Sequence, residues 1–425
     1  MNIIVNKSRL AGTVVIPGSK SHTIRAIAIA SLAQGKSTIN RPLISNDTLS
    51  AVNCFRRLGA EINTRNDDQW KVIGTGGKVT APSEAIDVGN SGTTLRMAVG
   101  LACLNDGTAP IVLTGDEQIK SRPIGPLLKS LNDLGANCTS CNGDDKAPLE
   151  ISGKLKGGKT TIECYTSQYL SSLLLCTPLC ATDTHIDVTL LNEPGYVQMT
   201  LDWLDKQKIE YENKNFEKFL VKGNQSYKGF DCTIPADFSS ATFFLCAAAL
   251  VGDKVKLIGM DFSDSQPDKA VVDYLKRMGA NIEVKGNVVT VTSSDLVGVE
   301  IDMNKTPDAL PAMAVTAAFA KGQTRLVNVA QARGKETDRI SCMAQELKKM
   351  QIEVEELDDG LIIQGSAPKA GRLKGCSDHR IVMALAVAGM AIEGTTTIDT
   401  AEAMSVTFPN FVDLMKGIGA DIRSE

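Results

Sequence analysis

Six times along this chain a short polar cluster runs into an Ala-rich, almost wholly apolar stretch of helical length. The segments are PGSKSHTIRAIAIASLA from Pro17, DVGNSGTTLRMAVGLA from Asp87, TSQYLSSLLL from Thr166, PADFSSATFFLCAAAL from Pro235, TPDALPAMAVTAAFA from Thr306 and CSDHRIVMALAVAG from Cys376. No polar face repeats along the apolar parts, so these helices are expected to be buried on all sides. Their polar starts, at Ser19, Ser91, Ser167, Ser239, Asp308 and Asp378, recur about seventy residues apart. A β-rich stretch follows each one (KSTINRP, PIVLTG, THIDVTLL, KVKLIGM, QTRLVNV, TTTIDT) and then an amphipathic helix. In four copies that helix closes on a glycine, at Gly59, Gly135, Gly279 and Gly419, the expected left-handed stop. LDKQKI and LKKMQI fill the same slot without glycine. Two further short strands come next, as in NIEVKG and VVTVTSS after Gly279, so the unit reads helix, strand, helix, strand, strand.

The sixth copy runs out at ADIRSE before its final strand, while the chain opens on an unassigned strand pair, NIIVNKSRLAGTVVIPG. The N-terminal segment is therefore expected to complete the sixth unit. Three units per domain is the simplest partition: 18–230 as one domain, and 231–425 with 1–17 as a discontinuous second. The chain would then cross between domains near Lys20 and near Asp237. The fold class expected is α/β, with each domain wrapping three sheets around buried helices. If the six helices aim their N-termini at the gap between the domains, that gap is the site.

A helix N-terminus carries unpaired N–H donors and the positive end of the macrodipole, so it attracts anions. Lys20, Arg25, Arg96 and Arg380 add cations at these starts, each opposing the dipole by roughly 0.3–1 kcal/mol. Such repetition suggests a protein completed by multiply charged small molecules. In PGSKSHTIRA, Ser21 and Arg25 share a face at i,i+4 beside Lys20, which suits phosphate or carboxylate; a Ser cap with solvated charges gives the same pattern. DVGNSGTTLR offers Asn90, and Gly92 for close backbone approach, ahead of Arg96. It lacks the GKS or GKT of a Walker loop. GDEQIKSRP places Lys120 and Arg122 after a strand.

GKETDRI is read as opening an amphipathic helix from Gly334, putting Lys335 and Arg339 at i,i+4. That like-charge pair costs a few tenths of a kcal/mol unless an anion intervenes or Glu336 and Asp338 neutralise it, about as unfavourable as an opposite pair is favourable. Glu336 among cations also suits proton transfer. Asp308 and Asp378 each fit an N-cap. The glycines of GTGGK from Gly74 read as a hairpin turn.

Composition narrows the classes. The 425 residues carry 45 basic and 49 acidic side chains, so no global field favours nucleic acid or an anionic membrane. No apolar run reaches the ~18 residues of a membrane span, and no signal peptide is expected at the N-terminus. The three histidines are scattered, which argues against a His-rich metal site. Eleven cysteines without framework spacing read as reduced cytosolic thiols, and the lone Cys138-x-x-Cys141 as chance strand cysteines.

Together these motifs closely resemble the 5-enolpyruvylshikimate-3-phosphate synthase family of enolpyruvyl transferases. PGSKSxTxR, GNSGTTxR, the RPI after GDEQIKS, KETDR and DHR stand in family order and spacing across essentially the whole chain. The resemblance implies two domains of three βαβαββ units each, the inside-out α/β barrel of that family. It implies transfer of the enolpyruvyl group of phosphoenolpyruvate to the 5-hydroxyl of shikimate 3-phosphate, through a tetrahedral adduct that then loses phosphate, in the shikimate pathway. Shikimate 3-phosphate would contact Lys20, Ser21, Arg25, Thr166, Ser167, Gln168, Tyr196, Asp308, Gln331 and Lys335. Phosphoenolpyruvate would contact Lys20, Asn90, Gly92, Arg122, Gln168, Lys335, Arg339, His379 and Arg380. Asp308 would accept the proton of the 5-hydroxyl, with Glu336 and Lys20 managing the proton at the methylene carbon.

The same resemblance implies no metal or other cofactor, inhibition by glyphosate, a monomer, and a cytoplasmic location. Some positions depart from the family. Thr166 stands where a serine is usual, Gln331 where an Asn is common, and Val406 where some members carry a lysine. NEPGYVQMT replaces a Ser-x-Pro-Tyr stretch, so only Tyr196 matches there. The related UDP-N-acetylglucosamine enolpyruvyl transferases have a loop cysteine that would fall at Glu117. Nucleic-acid-end binders on similar repeat scaffolds fit poorly with a net charge of -4 and 4% aromatic residues.

Overall fold

The computed structural model of the chain describes residues 1–107 and 109–425. It has two compact units: a continuous one, Gly18–Ile234, and a discontinuous one, Met1–Pro17 with Pro235–Glu425. The six Ala-rich segments form the helices Lys20–Leu32, Gly92–Ala102, Ser167–Cys176, Phe238–Val251, Leu310–Ala318 and His379–Ala391, numbered here as interior helices one to six. Nearly every residue on them is buried. Helix two packs against helices one and three in the continuous unit, and helices four, five and six pack on one another in the discontinuous one. Ser172 of helix three donates to the Arg96 carbonyl at 2.6 Å, and a Cβ on Gly100 would meet the Ser172 hydroxyl at 2.4 Å. Small residues thus set how closely these helices approach.

Five of the six starts carry a side-chain cap. Ser19 accepts from His22 N, Ser91 from Thr94 N, Thr166 from Gln168 N, Asp237 from Ser240 N and Asp378 from Arg380 N. Each cap is worth about 0.5–2 kcal/mol over alanine. Helix five differs: Thr306 leads into a 3-10 turn, Pro307–Ala309, before Leu310. Asp308 therefore lies inside a turn and is not an N-cap, because Pro307 starts that turn with its φ already helical. The carboxylate is left for other partners.

Six four-stranded mixed sheets surround these helices. In four of them the strand before an interior helix runs parallel to the strand after it, and two antiparallel strands complete the βαβαββ order. At the two chain crossovers these first strands are exchanged. Leu10–Val15 pairs parallel with Gly252–Ile258 in the fourth sheet, and Asp231–Thr233 pairs parallel with Lys36–Asn40 in the first. Only Ile3–Asn6 completes the sixth sheet, between Thr395–Ile398 and Ile422–Ser424. The opening strand pair is thus split between two sheets, and the second boundary falls after Ile234 instead of residue 230 because the Asp231–Thr233 strand stays with the continuous unit.

The amphipathic helices end as their sequences require. Gly59, Gly135, Gly279 and Gly419 all have φ between +94° and +111°, while Lys208 and Gln351 take the left-handed slot without glycine at +57° and +65°. Those two side chains cost about 1–2 kcal/mol each. GTGGK is not a hairpin turn, since Gln69–Ile73 and Ile86–Asp87 on either side of it join different sheets. Gly74 is instead pressed against helix one, where a Cβ would lie 2.2 Å from the Ala33 carbonyl.

Candidate functional site

In the continuous unit the polar starts of helices one to three carry the candidate cations. Lys20, the first residue of helix one, is paired with Asp47 at 3.0 Å, and Asp47 lies in the first turn of the helix Asn46–Arg57. One turn on, Arg25 is only 2% exposed. Its guanidinium donates to Thr200 Oγ1 (2.9 Å), the Tyr196 carbonyl (2.9 Å), the Ser21 carbonyl (3.1 Å) and Ser171 Oγ (3.4 Å). All four acceptors are neutral. Burial pushes the Arg25 pKa down to about 10, against a smaller opposing effect of Tyr196, so it stays charged at neutral pH. A buried guanidinium compensated only by neutral oxygens is the arrangement that an anion completes.

At helix two, Gly92 is the first residue and Ser91 its cap. A Cβ on Gly92 would fall 2.7 Å from Arg122 Nη1 and 2.8 Å from Arg96 Nη1, so both guanidinium groups stand over this glycine. Asn90 donates to Asp116 at 2.7 Å and to Gln118 at 2.6 Å, which fixes its amide. Lys120 does not join this group: it pairs with Glu117 within the short helix Glu117–Ser121. At helix three, Gln168 donates to Thr93 Oγ1 at 3.2 Å, tying helices two and three together. The buried carboxylate of Glu193 accepts from Ser167 Oγ at 2.8 Å and from Thr166 Oγ1 at 3.4 Å. Tyr196 contributes its backbone carbonyl to Arg25, as above. His22 accepts from Trp203 Nε1 at 3.0 Å and serves packing.

In the discontinuous unit, three cations and three carboxylates interlock. Arg339, 1% exposed, donates to Asp308 at 2.8 Å, to Glu336 at 2.5 Å, and to Asp378 at 2.8 and 3.3 Å. Asp308 also faces Arg380 at 3.2 Å and Lys335 at 3.7 Å. Burial alone would raise the Asp308 carboxyl, but Arg380, Lys335 and Arg339 outweigh it and hold the group far below the usual carboxylate range. Arg339 moves the other way: Asp378, Glu336 and Asp308 overcome its desolvation and raise it. Gln331 donates to the Asn304 carbonyl at 3.0 Å, and His379 is buried beside Asp378, its Nδ1 3.9 Å from the carboxylate.

The expected helix from Gly334 is not found. Residues Ala330–Gly334 form a 3-10 turn, and the helix begins only at Arg339, capped by Asp338. Asp338 stops the helix from extending backwards by accepting from Ser341 N and pairing with Arg333 at 2.6 Å. Lys335 and Arg339 therefore do not share a helix face; they approach Asp308 from different segments. Three carboxylates escaped sequence reasoning as members of the site: Asp47, Glu193 and, as the anchor of Arg339, Asp378. The signal was present for Asp47, an acid in a helix's first turn. Among the described residues, no group of three or more His, Cys, Asp or Glu stands where a metal ion would be held, and no helix is long and apolar enough to cross a membrane. The cysteines are free thiols.

Known proteins resemble the chain over its whole length. The family EPSP synthase (3-phosphoshikimate 1-carboxyvinyltransferase) matches residues 4–415. A protein of that name from Acetivibrio thermocellus is 54% identical over 424 residues, covering 100% of both chains. Another from Methanococcoides burtonii is 44% identical, covering 99% of both. Among solved structures, the EPSP synthase of Acinetobacter baumannii aligns with a TM-score of 0.83 at 27% identity over 100% of both chains. The enolpyruvyl transferase NikO of Streptomyces tendae, at 20% identity and a TM-score of 0.79, shares the fold. The chain belongs to the EPSP synthase family.

Proposed function

We propose that this chain transfers the enolpyruvyl group of phosphoenolpyruvate to the 5-hydroxyl of shikimate 3-phosphate, releasing phosphate. The observation that carries this reading is Arg25: a buried cation whose partners are all neutral and which lies among hydroxyls at a helix start, as a phosphate monoester requires. In this reading Lys20, Ser21, Arg25, Thr166, Ser167, Gln168 and Tyr196 receive shikimate 3-phosphate, with Asp308, Gln331 and Lys335 from the discontinuous unit. Asn90, Gly92, Arg122 and Gln168 receive phosphoenolpyruvate, together with Lys20, Lys335, Arg339, His379 and Arg380.

The chemistry follows from the charges. Asp308 is ionised at neutral pH, but three cations make it a weak base in the free protein. A carboxylate and a phosphate arriving on Lys335, Arg339 and Arg380 offset those cations and raise its basicity at the moment it is needed. Asp308 then takes the 5-hydroxyl proton as that oxygen attacks C2 of phosphoenolpyruvate, and Glu336 with Lys20 supplies the proton to the methylene carbon. Loss of a proton from the resulting methyl group and of phosphate from the adduct then forms the enol ether. These steps need acid–base groups and fixed positive charge, which side chains supply. Glyphosate inhibits by occupying the phosphoenolpyruvate contacts, and the protein works as a cytoplasmic monomer. Phosphate release with both substrates tests the reading, with UDP-N-acetylglucosamine as the competing acceptor. Release that depends on shikimate 3-phosphate is expected; release with the nucleotide sugar alone would overturn it.

A further inference from the structure

Glu193 is the buried acid at the start of helix three that the proposed chemistry leaves unused. Its Oε2 accepts from Ser167 Oγ at 2.8 Å, from Ser167 N at 3.3 Å and from Thr166 Oγ1 at 3.4 Å. The residue is 2% exposed. Its backbone is left-handed, with φ of +59° and ψ of +46°, directly ahead of the helix Pro194–Lys206. A non-glycine residue held in that region needs surroundings that enforce it, and such strain gathers where a side chain must be aimed. The aim here is plain: a carboxylate fills the seat that a helix N-terminus offers to an anion. Thr166 and Ser167 are the hydroxyl pair read above as contacts of the shikimate phosphate, and the same turn lends its Tyr196 carbonyl to Arg25 at 2.9 Å.

We propose that Glu193 is a positioning residue and an internal competitor: it orients the Thr166 and Ser167 hydroxyls in the free protein, and a phosphate monoester reaches them only as this carboxylate gives them up. Two anions sharing one set of donors repel, so the ionised side chain weakens binding of the phosphorylated ligand in particular. The gain is order, since the hydroxyls are held on one side of the seat before substrate arrives. This inference rests on the functional reading above.

Glu193→Gln keeps a carbonyl oxygen for the hydroxyls and removes the charge. Calorimetric titration of wild type and variant with shikimate 3-phosphate, and with shikimate as the phosphate-free control, separates the cases. The expected result is tighter binding of shikimate 3-phosphate by about tenfold, the size of a one-unit electrostatic coupling, with shikimate moving less than twofold. In turnover, the KM for shikimate 3-phosphate falls while that for phosphoenolpyruvate does not follow. Unchanged or weaker binding of the phosphorylated ligand, or a parallel shift of both ligands, overturns the proposal, because a merely structural residue would move both alike. If the variant does not fold, a crystal structure of the wild type with shikimate 3-phosphate decides. Glu193 Oε2 beyond hydrogen-bond distance of Ser167 Oγ supports the proposal, and a retained contact with the phosphate seated elsewhere overturns it. A wild type that binds no shikimate 3-phosphate sinks the functional reading instead.

Discussion

Replacing Asp308 by Asn removes one negative charge from the interlocked cluster and leaves its shape nearly intact. Lys335 and Arg380 then lose their pairing with this carboxylate, while Arg339 keeps Glu336 and Asp378. As the proposed proton acceptor, Asp308 contributes about 10²–10⁴-fold to turnover, or roughly 3–5 kcal/mol at 1.36 kcal/mol per tenfold. Breaking a buried ion pair by deleting one partner costs about 3–5 kcal/mol of stability. The loss here belongs at the low end, since the Asp308 side chain is 19% exposed and Asn still accepts from Arg339. The pH dependence has a definite sign. A carboxyl held below its ordinary value contributes stability above roughly pH 4, and loses it as pH falls toward the folded-state pKa. The gap between wild type and variant is therefore constant from about pH 5 to 8 and narrows below about pH 4. Phosphate release and urea titrations at several pH values measure both quantities. Affinity for phosphoenolpyruvate should rise, because the cluster has gained net positive charge. Turnover within tenfold of wild type, or a stability gap as wide at pH 3 as at pH 7, would refute the reasoning.

Three shorter expectations accompany it. Arg25→Met should raise the KM for shikimate 3-phosphate at least a hundredfold, about the loss of a charge-assisted hydrogen-bond pair, while the melting temperature holds or rises because a buried charge is gone; equal losses for both substrates would contradict its placement. Gly92→Ala should raise the KM for phosphoenolpyruvate and the Ki for glyphosate more than shikimate 3-phosphate binding, since the new Cβ displaces Arg122 Nη1 and Arg96 Nη1, and unchanged constants would count against it. Iodoacetamide should label Cys342 at lower pH than an ordinary thiol, because the neighbouring Cys376 thiol lowers Cys342 against the effect of burial; labelling that sets in only at or above the ordinary thiol range would exclude that pairing.

The interior helices were legible because burial on all sides leaves a mark that local sequence can carry: apolar residues without period, preceded by a capping hydroxyl or acid. The glycine stops were legible for the same local reason. Strand exchange at the crossovers was not, because Leu10–Val15 and Asp231–Thr233 are short runs whose partners lie far away in sequence. Nothing within such a run names its neighbour. Lys20, Arg25, Arg96 and Arg380 could be picked out because they stand at helix starts, whereas Arg122 and Lys335 follow helical turns. The carboxylate partners could not be picked out this way: Asp47 lies 27 residues from Lys20, and Glu193 lies 26 from Ser167. Asp308 looked like a cap because Asp is a common cap, and only the turn at Pro307 shows why its carboxylate is turned elsewhere.

Arg122 and Arg380 are proposed to hold the same phosphoenolpyruvate. A double-mutant cycle with Arg122→Gln in the continuous unit and Arg380→Gln in the discontinuous one, read as kcat/KM for phosphoenolpyruvate, tests it most directly. Each single change should lower that value, and the pair should depart from additivity by about 0.5–3 kcal/mol, as residues sharing a partner do. Additivity within about 0.5 kcal/mol, or a single change that leaves phosphoenolpyruvate unaffected, would contradict it.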